Sequence, residues 1–205
     1  AAQADLLAFT RRWAKEYKLP HFYEYEGICH QLLVEKGHVR PGRLVVGTDS
    51  HTVMGGALGA LSAGIGSTEM LGVLVSGSMW FRVPETVKIE WVGRFPDGIM
   101  AKDLILRIIG DFGSSLTYRA IEYGGSALRD MSVDQRFCLS NMTAEAGGKA
   151  GMMEPDEKTL AYLKQVISAE EFEEIEIVRA DENAPYEKVV TYQAEEMVPV
   201  VAAPH

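Results

Sequence analysis

The string Gly47-Thr48-Asp49-Ser50-His51-Thr52 packs a carboxylate, an imidazole and three hydroxyls into six residues. An imidazole beside a carboxylate is an acid–base pair whose proton affinity can be set close to neutrality. Capping of a following helix accounts for one Ser or Thr here, but not for Asp49 and His51 as well. A second imidazole, His30, stands in Gly27-Ile28-Cys29-His30-Gln31. A single histidine in a short helix is ordinarily a packed, hydrogen-bonded residue, and chain geometry is what draws this one in. A helix running forward from His30, a turn at Pro41-Gly42 and a strand running to Asp49 form a reversal. At about 1.5 Å per helical residue and 3.3 Å per strand residue its two legs are of comparable length. His30 is therefore expected beside Asp49 or His51.

Asn141 and Glu145 are spaced i to i+4, which places them on one helix face about a turn apart. Ala144, Ala146, Gly147 and Gly148 around them would let a backbone or a bulky cofactor come close. The same spacing also suits a plain polar surface stripe. Cys138, between Phe137 and Leu139, reads as a buried thiol acting as a small hydrophobe rather than a nucleophile. Gly93-Arg94-Phe95, Lys102-Asp103 and Arg136 read as surface or helix-start charges. The Gly-rich run 55–77 has no phosphate-cradle pattern with a following Lys and is assigned to packing.

The elements that must position these groups follow from hydrophobic spacing. Leu6, Leu7, Phe9, Trp13 and Tyr17 recur at helical intervals, and that helix ends before Pro20. A short helix covers 28–35, and Arg43 to Gly47 reads as a buried strand with the Thr48–Thr52 string at its carboxyl end, where ligands bind in open α/β sheets. The small residues of 55–77 suit closely packed helices. Beyond Pro84, the expected domain boundary, Val87 to Val92 alternates as a half-buried strand. A helix over 101–109 ended by Gly110, a strand over 119–123 and a helix over 133–146 stopping at Gly147-Gly148 follow. Pro155 opens a helix through Leu163 as its first residue, 169–176 forms an acidic helical face, and 186–192 is a last strand. The alternation predicts an α/β fold with mixed sheets flanked by helices, divided as 1–84 and 85–205.

The chain has 205 residues, 20 Lys and Arg against 29 Asp and Glu, and a net charge of −9. Apolar residues at 47 % and charged ones at 24 % are ordinary for a soluble globular protein with a real core. The acidic balance argues against nucleic acid or an anionic membrane as partner. Two cysteines exclude a disulfide framework and fit a reducing, cytoplasmic setting. Neither belongs to a C-x-x-C pair, so no zinc ribbon or self-contained iron–sulfur site is expected. The start lacks both an initiator Met and signal-peptide features, and the end stops in an apolar run, so both ends read as cuts in a longer chain.

Three strings together resemble the aconitase family, especially large subunits of the isopropylmalate isomerase or homoaconitase type. They are Gly27-Ile28-Cys29-His30-Gln31, then Pro41-Gly42 through Gly47-Thr48-Asp49-Ser50-His51-Thr52, and Ser140-Asn141-Met142-Thr143-Ala144-Glu145 with Pro155-Asp156 after it. The likeness runs along nearly the whole chain, and Gly-Thr-Asp-Ser-His-Thr is its most specific part. It implies aconitase-type core domains and a hydro-lyase that dehydrates a hydroxylated di- or tricarboxylic acid and rehydrates it with the hydroxyl moved. Isopropylmalate (of leucine biosynthesis), homocitrate and citrate are the substrates to expect. In that family a [4Fe–4S] cluster with three Cys ligands and one open iron acts as Lewis acid. The resemblance makes His30, Asp49, His51 and Glu145 the catalytic acid–base groups, Ser50 a substrate contact and Asn141 a neighbour of the cluster. The cluster cysteines, an Asp-His motif before residue 1 and later arginines have no counterparts here. The chain alone is therefore expected to hold no cluster and to be inactive, with the remaining domains or a small subunit as partners. Two other readings compete. A non-catalytic binding or regulatory subunit would not need to retain the acid–base pairs. A mononuclear metal hydrolase on His30, His51 and Asp49 lacks His-x-x-x-His spacing.

Overall fold

The computed structural model describes residues 2–203. Helix α1 (Ala2–Glu16) forms as its spacing predicts. Its apolar side nevertheless stays largely open, with Leu6 and Phe9 exposed, as is Tyr17 just beyond its end, and Ala14 buried. Helix α2 (Cys29–Glu35) turns Leu32 and Val34 inward, and Gly37 and Gly42, at φ +70° and +72°, make the reversal into strand β1 (Leu44–Gly47). Both turns need a left-handed backbone, which only glycine adopts without strain. Strand β1 is not the buried strand expected. Leu44 is 61 % exposed, because the sheet here consists of β1 and one parallel partner, β2 (Leu61–Gly64). The small-residue run likewise departs from packed helices. It divides into a buried 3₁₀ helix over Ser50–Leu58, strand β2, and helix α3 (Ser67–Ser76), which buries none of its residues.

A four-stranded sheet follows, built from β3 (Thr86–Val92), β4 (Ala120–Gly124), β5 (Ala150–Met153) and β6 (Lys188–Gln193) in the order β5-β4-β3-β6. Every pairing is parallel, so the expected α/β layers are observed with parallel rather than mixed sheets. Parallel neighbours need crossover connections, and helices α4 (Ala101–Phe112) and α5 (Val133–Asn141) supply them. Alternation along β3 sends Val87, Ile89 and Trp91 into a core with Leu104, Ile105, Ile108, Ile121 and Leu139. Phe137, two residues before Leu139, joins a second core of Val34, Val39, Met54, Leu58 and Leu163. One helix thus serves both cores.

Several boundaries differ from expectation. Helix α4 runs through Gly110 to Phe112 and ends at Gly113, where φ is +53°. Helix α5 is α-helical only to Asn141 and then tightens into a 3₁₀ turn over Met142–Ala144. Pro155 lies outside α6 (Glu157–Val166), whose cap is Asp156, accepting from the Lys158 and Thr159 N–H groups at 3.0 and 3.1 Å. Strand β5 was not anticipated. Of the charges read as surface or helix-start, Asp103 does stand in the first turn of α4, but both it and Arg136 are buried. Asp103 accepts from the Met100 and Val200 N–H groups at 2.8 and 3.0 Å. The acidic stretch is helical over Ala169–Glu173 (α7). No helix among the described residues is long and apolar enough to cross a membrane.

The connection between α1 and α2 is pinned by a small aromatic cluster. The His21 and His38 rings lie 4.5 Å apart, and the Tyr23 hydroxyl is 2.8 Å from His38 Nε2. Burial, then the neighbouring His21 and Arg40, hold His38 below the ordinary imidazole range, against a smaller opposing pull from Glu171. An unfolded chain takes up this proton near pH 6.5 while the folded one resists it. The stabilisation is thus present above that value and lost as pH falls through the lowered one. Urea midpoints should accordingly drop more in the native chain than in His38→Gln between about pH 7 and pH 5; equal drops would contradict this.

Candidate active site

The reversal built by α2, the two glycine turns and β1 returns the chain to its starting point. His30 Nδ1 lies 3.2 Å from Asp49 Oδ1. The same carboxylate oxygen accepts the His51 backbone N–H at 2.8 Å, and the Thr52 hydroxyl donates to the Asp49 carbonyl at 2.6 Å. Asp49 therefore starts the 3₁₀ helix and faces His30 at once. Starting that helix aims the His51 side chain at the end of α5. There His51 Nδ1 is 3.2 Å from the Asn141 carbonyl and 3.0 Å from Asn141 Oδ1. His51 Nε2 is 3.4 Å from Glu145 Oε1. The two imidazole centroids are 5.7 Å apart.

The structure thus brings His30, Asp49, His51, Asn141 and Glu145 into one cluster. Ser50 lies at its edge, lining a hollow of about 350 Å³ with Thr48, Gly66, Glu69, Ala144 and Lys149. Lys149, whose Nζ donates to the Gly64 carbonyl at 2.5 Å, was not singled out from the sequence. Its place directly after Gly147-Gly148 was the available signal. The bond from His51 to Asn141 was also missed, since it joins residues 90 positions apart.

Hydrogen bonding fixes what each ring can do. A backbone carbonyl only accepts, so His51 Nδ1 carries a proton. Nε2 is then the ring nitrogen that faces the Glu145 carboxylate. His30 is different. Burial lowers its proton affinity more than Asp49 raises it, and His51 lowers it further, so near neutrality it is an uncharged base.

Parallel α/β layers here bring two imidazole–carboxylate pairs, His30–Asp49 and His51–Glu145, together near the carboxyl end of a strand. The chain belongs to the aconitase family (aconitate hydratase), whose pattern it matches along residues 1–205. It is 48 % identical over 196 residues to the 3-isopropylmalate dehydratase large subunit 1 of Methanopyrus kandleri, covering 95 % of this chain and 46 % of that protein. It is also 48 % identical over 206 residues to the probable 3-isopropylmalate dehydratase large subunit of Methanosarcina mazei, covering 100 % and 48 %. The corresponding large subunit of Elusimicrobium minutum is 48 % identical over 88 % of the chain and 42 % of its own length. The chain spans about half the length of the curated relatives it matches.

A four-iron cluster on three thiolates does not fit the donors present here. There are two cysteines, Cys29 exposed at the start of α2 and Cys138 half-buried within α5. The Cys138 thiol is pushed up by burial, which disfavours the thiolate a metal needs.

Proposed function

We propose that this chain is the acid–base half of a hydro-lyase that interconverts a hydroxylated di- or tricarboxylic acid and its dehydrated form. The substrate class follows the relatives named 3-isopropylmalate dehydratase, so isopropylmalate is the first acid to assay and leucine biosynthesis the implied setting. A metal cluster, if the complete protein uses one, is supplied outside these residues, and no step here runs through it. The cytoplasm, a small-subunit partner and the division of the chain at Pro84 belong to the same proposal.

Elimination of water takes one proton from carbon and delivers one to the departing hydroxyl. Uncharged His30, facing Asp49, is suited to accept the first. The His51–Glu145 pair is suited to deliver the second, with the Asn141 carbonyl holding the ring in the required tautomer. Ser50, on the hollow beside them, is the substrate contact. A regulatory subunit would have no use for two imidazoles each set against a carboxylate, and that double pairing is the observation supporting an enzyme over a binding module.

The complete polypeptide with its partner is the material for the test. Loss of one general acid or base ordinarily costs ~10²–10⁴ in rate. His30→Gln and Glu145→Gln should therefore each cut kcat within that range while leaving KM within a few-fold. Turnover at the native rate in both variants would favour the binding-module reading.

A further inference from the structure

We propose that Cys29, His30 and Asp49 form a binding site for a borderline-soft divalent cation of the zinc class. Helix α2 opens with Cys29 and His30 side by side, and β1 delivers Asp49 from the opposite direction. One ligand atom from each of the three side chains lies within 4.8 Å of the others. The cluster combines a thiol, an imidazole and a carboxylate, the donor types zinc accepts.

Two details point to a cation rather than to chance proximity. His30 Nδ1 is shielded from solvent and has no aligned hydrogen-bond partner among the described residues, although Asp49 Oδ1 is only 3.2 Å away. A tetrahedral zinc with nitrogen and oxygen bonds of about 2.0–2.1 Å separates those two atoms by about 3.3–3.4 Å. The observed spacing is therefore already that of a shared ligand edge. Cys29 is exposed, so its side chain is free to swing onto the third corner. A fourth corner stays open to water or to an incoming ligand.

The donor set also decides against other cations. Magnesium and calcium prefer an all-oxygen shell, into which a thiol and an imidazole do not fit. A thiolate adds selectivity for zinc or cadmium over manganese. Binding itself is independent of the proposed function. On that function, an ion here would occupy the lone pair of His30 and remove the base, making the site inhibitory.

Cadmium reports the thiolate directly through its ultraviolet charge-transfer band, so the 205-residue chain can be titrated with cadmium chloride and zinc chloride without any turnover assay. One cadmium per chain should carry the band, with zinc competing and magnesium chloride inert. Loss of a mere outer-shell partner costs ~10–100-fold in affinity, so loss of a direct ligand should cost at least about tenfold. Cys29→Ser should abolish the band and Asp49→Asn should weaken binding with the band retained. Cys29 is exposed and asparagine at 49 keeps an oxygen to accept the capping His51 N–H, so neither change threatens the fold, and Cys138→Ser should alter nothing. A native chain without the band, a band surviving Cys29→Ser, or a band lost with Cys138→Ser would each overturn the proposal. None of those results bears on the hydro-lyase reading, which the kcat measurements address separately.

Discussion

Alanine in place of Gly56 is expected to destabilise the chain by roughly 3 kcal/mol, the upper part of the range for forcing atoms into a packed interior. A Cβ at Gly56 would sit 2.0 Å from the Gly151 carbonyl oxygen and 2.7 Å from its carbon. Those are backbone atoms of β5, which cannot rotate aside. The 3₁₀ helix carrying His51 therefore rides directly on the strand. Ser140 of α5 completes the joint, its hydroxyl lying 2.9 Å from the Val53 carbonyl and 2.5 Å from that of Gly151. Lifting the 3₁₀ helix away would separate His51 from Asn141 and Glu145, so the site should be lost with the packing. Gly72→Ala is the matched comparison. Nothing lies within 4 Å of its new methyl, the position is mid-helix on α3, and helix propensity favours alanine by about 1 kcal/mol. Urea unfolding of the two variants should move in opposite directions. Equal stability of Gly56→Ala and the native chain would mean the 3₁₀ helix does not rest on β5.

That joint also marks where sequence reading succeeds and where it stops. Strand β3 was legible because Val87, Ile89 and Trp91 alternate with polar neighbours, and one buried face imposes that period. The approach of His30 to Asp49 was legible because a short helix and a short strand of matching length leave little freedom around a glycine turn. Strand β5 was not, since Ala150-Gly151-Met152-Met153 contains no β-branched residue and no alternation. It is extended because the β4 edge needs a partner, and its small residues answer to Gly56, which only tertiary packing brings near. The apolar side of α1 was legible as a pattern, but a pattern does not say whether a partner surface is present. The meeting of His51 with Glu145 came from family likeness, not from any local spacing.

Arg136 shows the same limit in electrostatic form, and its replacement carries the second large effect. A lone arginine near the start of a helix reads as solvated, yet this one is 3 % exposed. Its two terminal nitrogens meet Asp156 Oδ1 and Oδ2 at 2.7 and 2.6 Å, a fork that matches the carboxylate in plane. Nη2 also reaches toward the Leu128 and Arg129 carbonyls, each 3.4 Å away. The pair fastens α5, which presents Asn141, to the cap of α6. Removing one partner of a buried pair costs about 3–5 kcal/mol because the other is left charged and unpaired. Asp156 keeps 31 % side-chain exposure and its two N–H donors, so Arg136→Met should fall near the lower end of that range. Burial alone would raise the Asp156 carboxyl, but the Arg136 hydrogen bonds and the helix N–H groups outweigh it and hold the group below the usual carboxylate value. A depressed acid stabilises the fold above its unfolded value and loses that contribution as pH falls through the folded one. The penalty for Arg136→Met should therefore be full near pH 7 and shrink below about pH 4. Arg136→Lys keeps the charge but not the fork, and should lose less than Arg136→Met while showing the same pH trend. Guanidinium unfolding at the two pH values separates these outcomes. A penalty independent of pH would mean that Arg136 acts through packing of its stem rather than through Asp156.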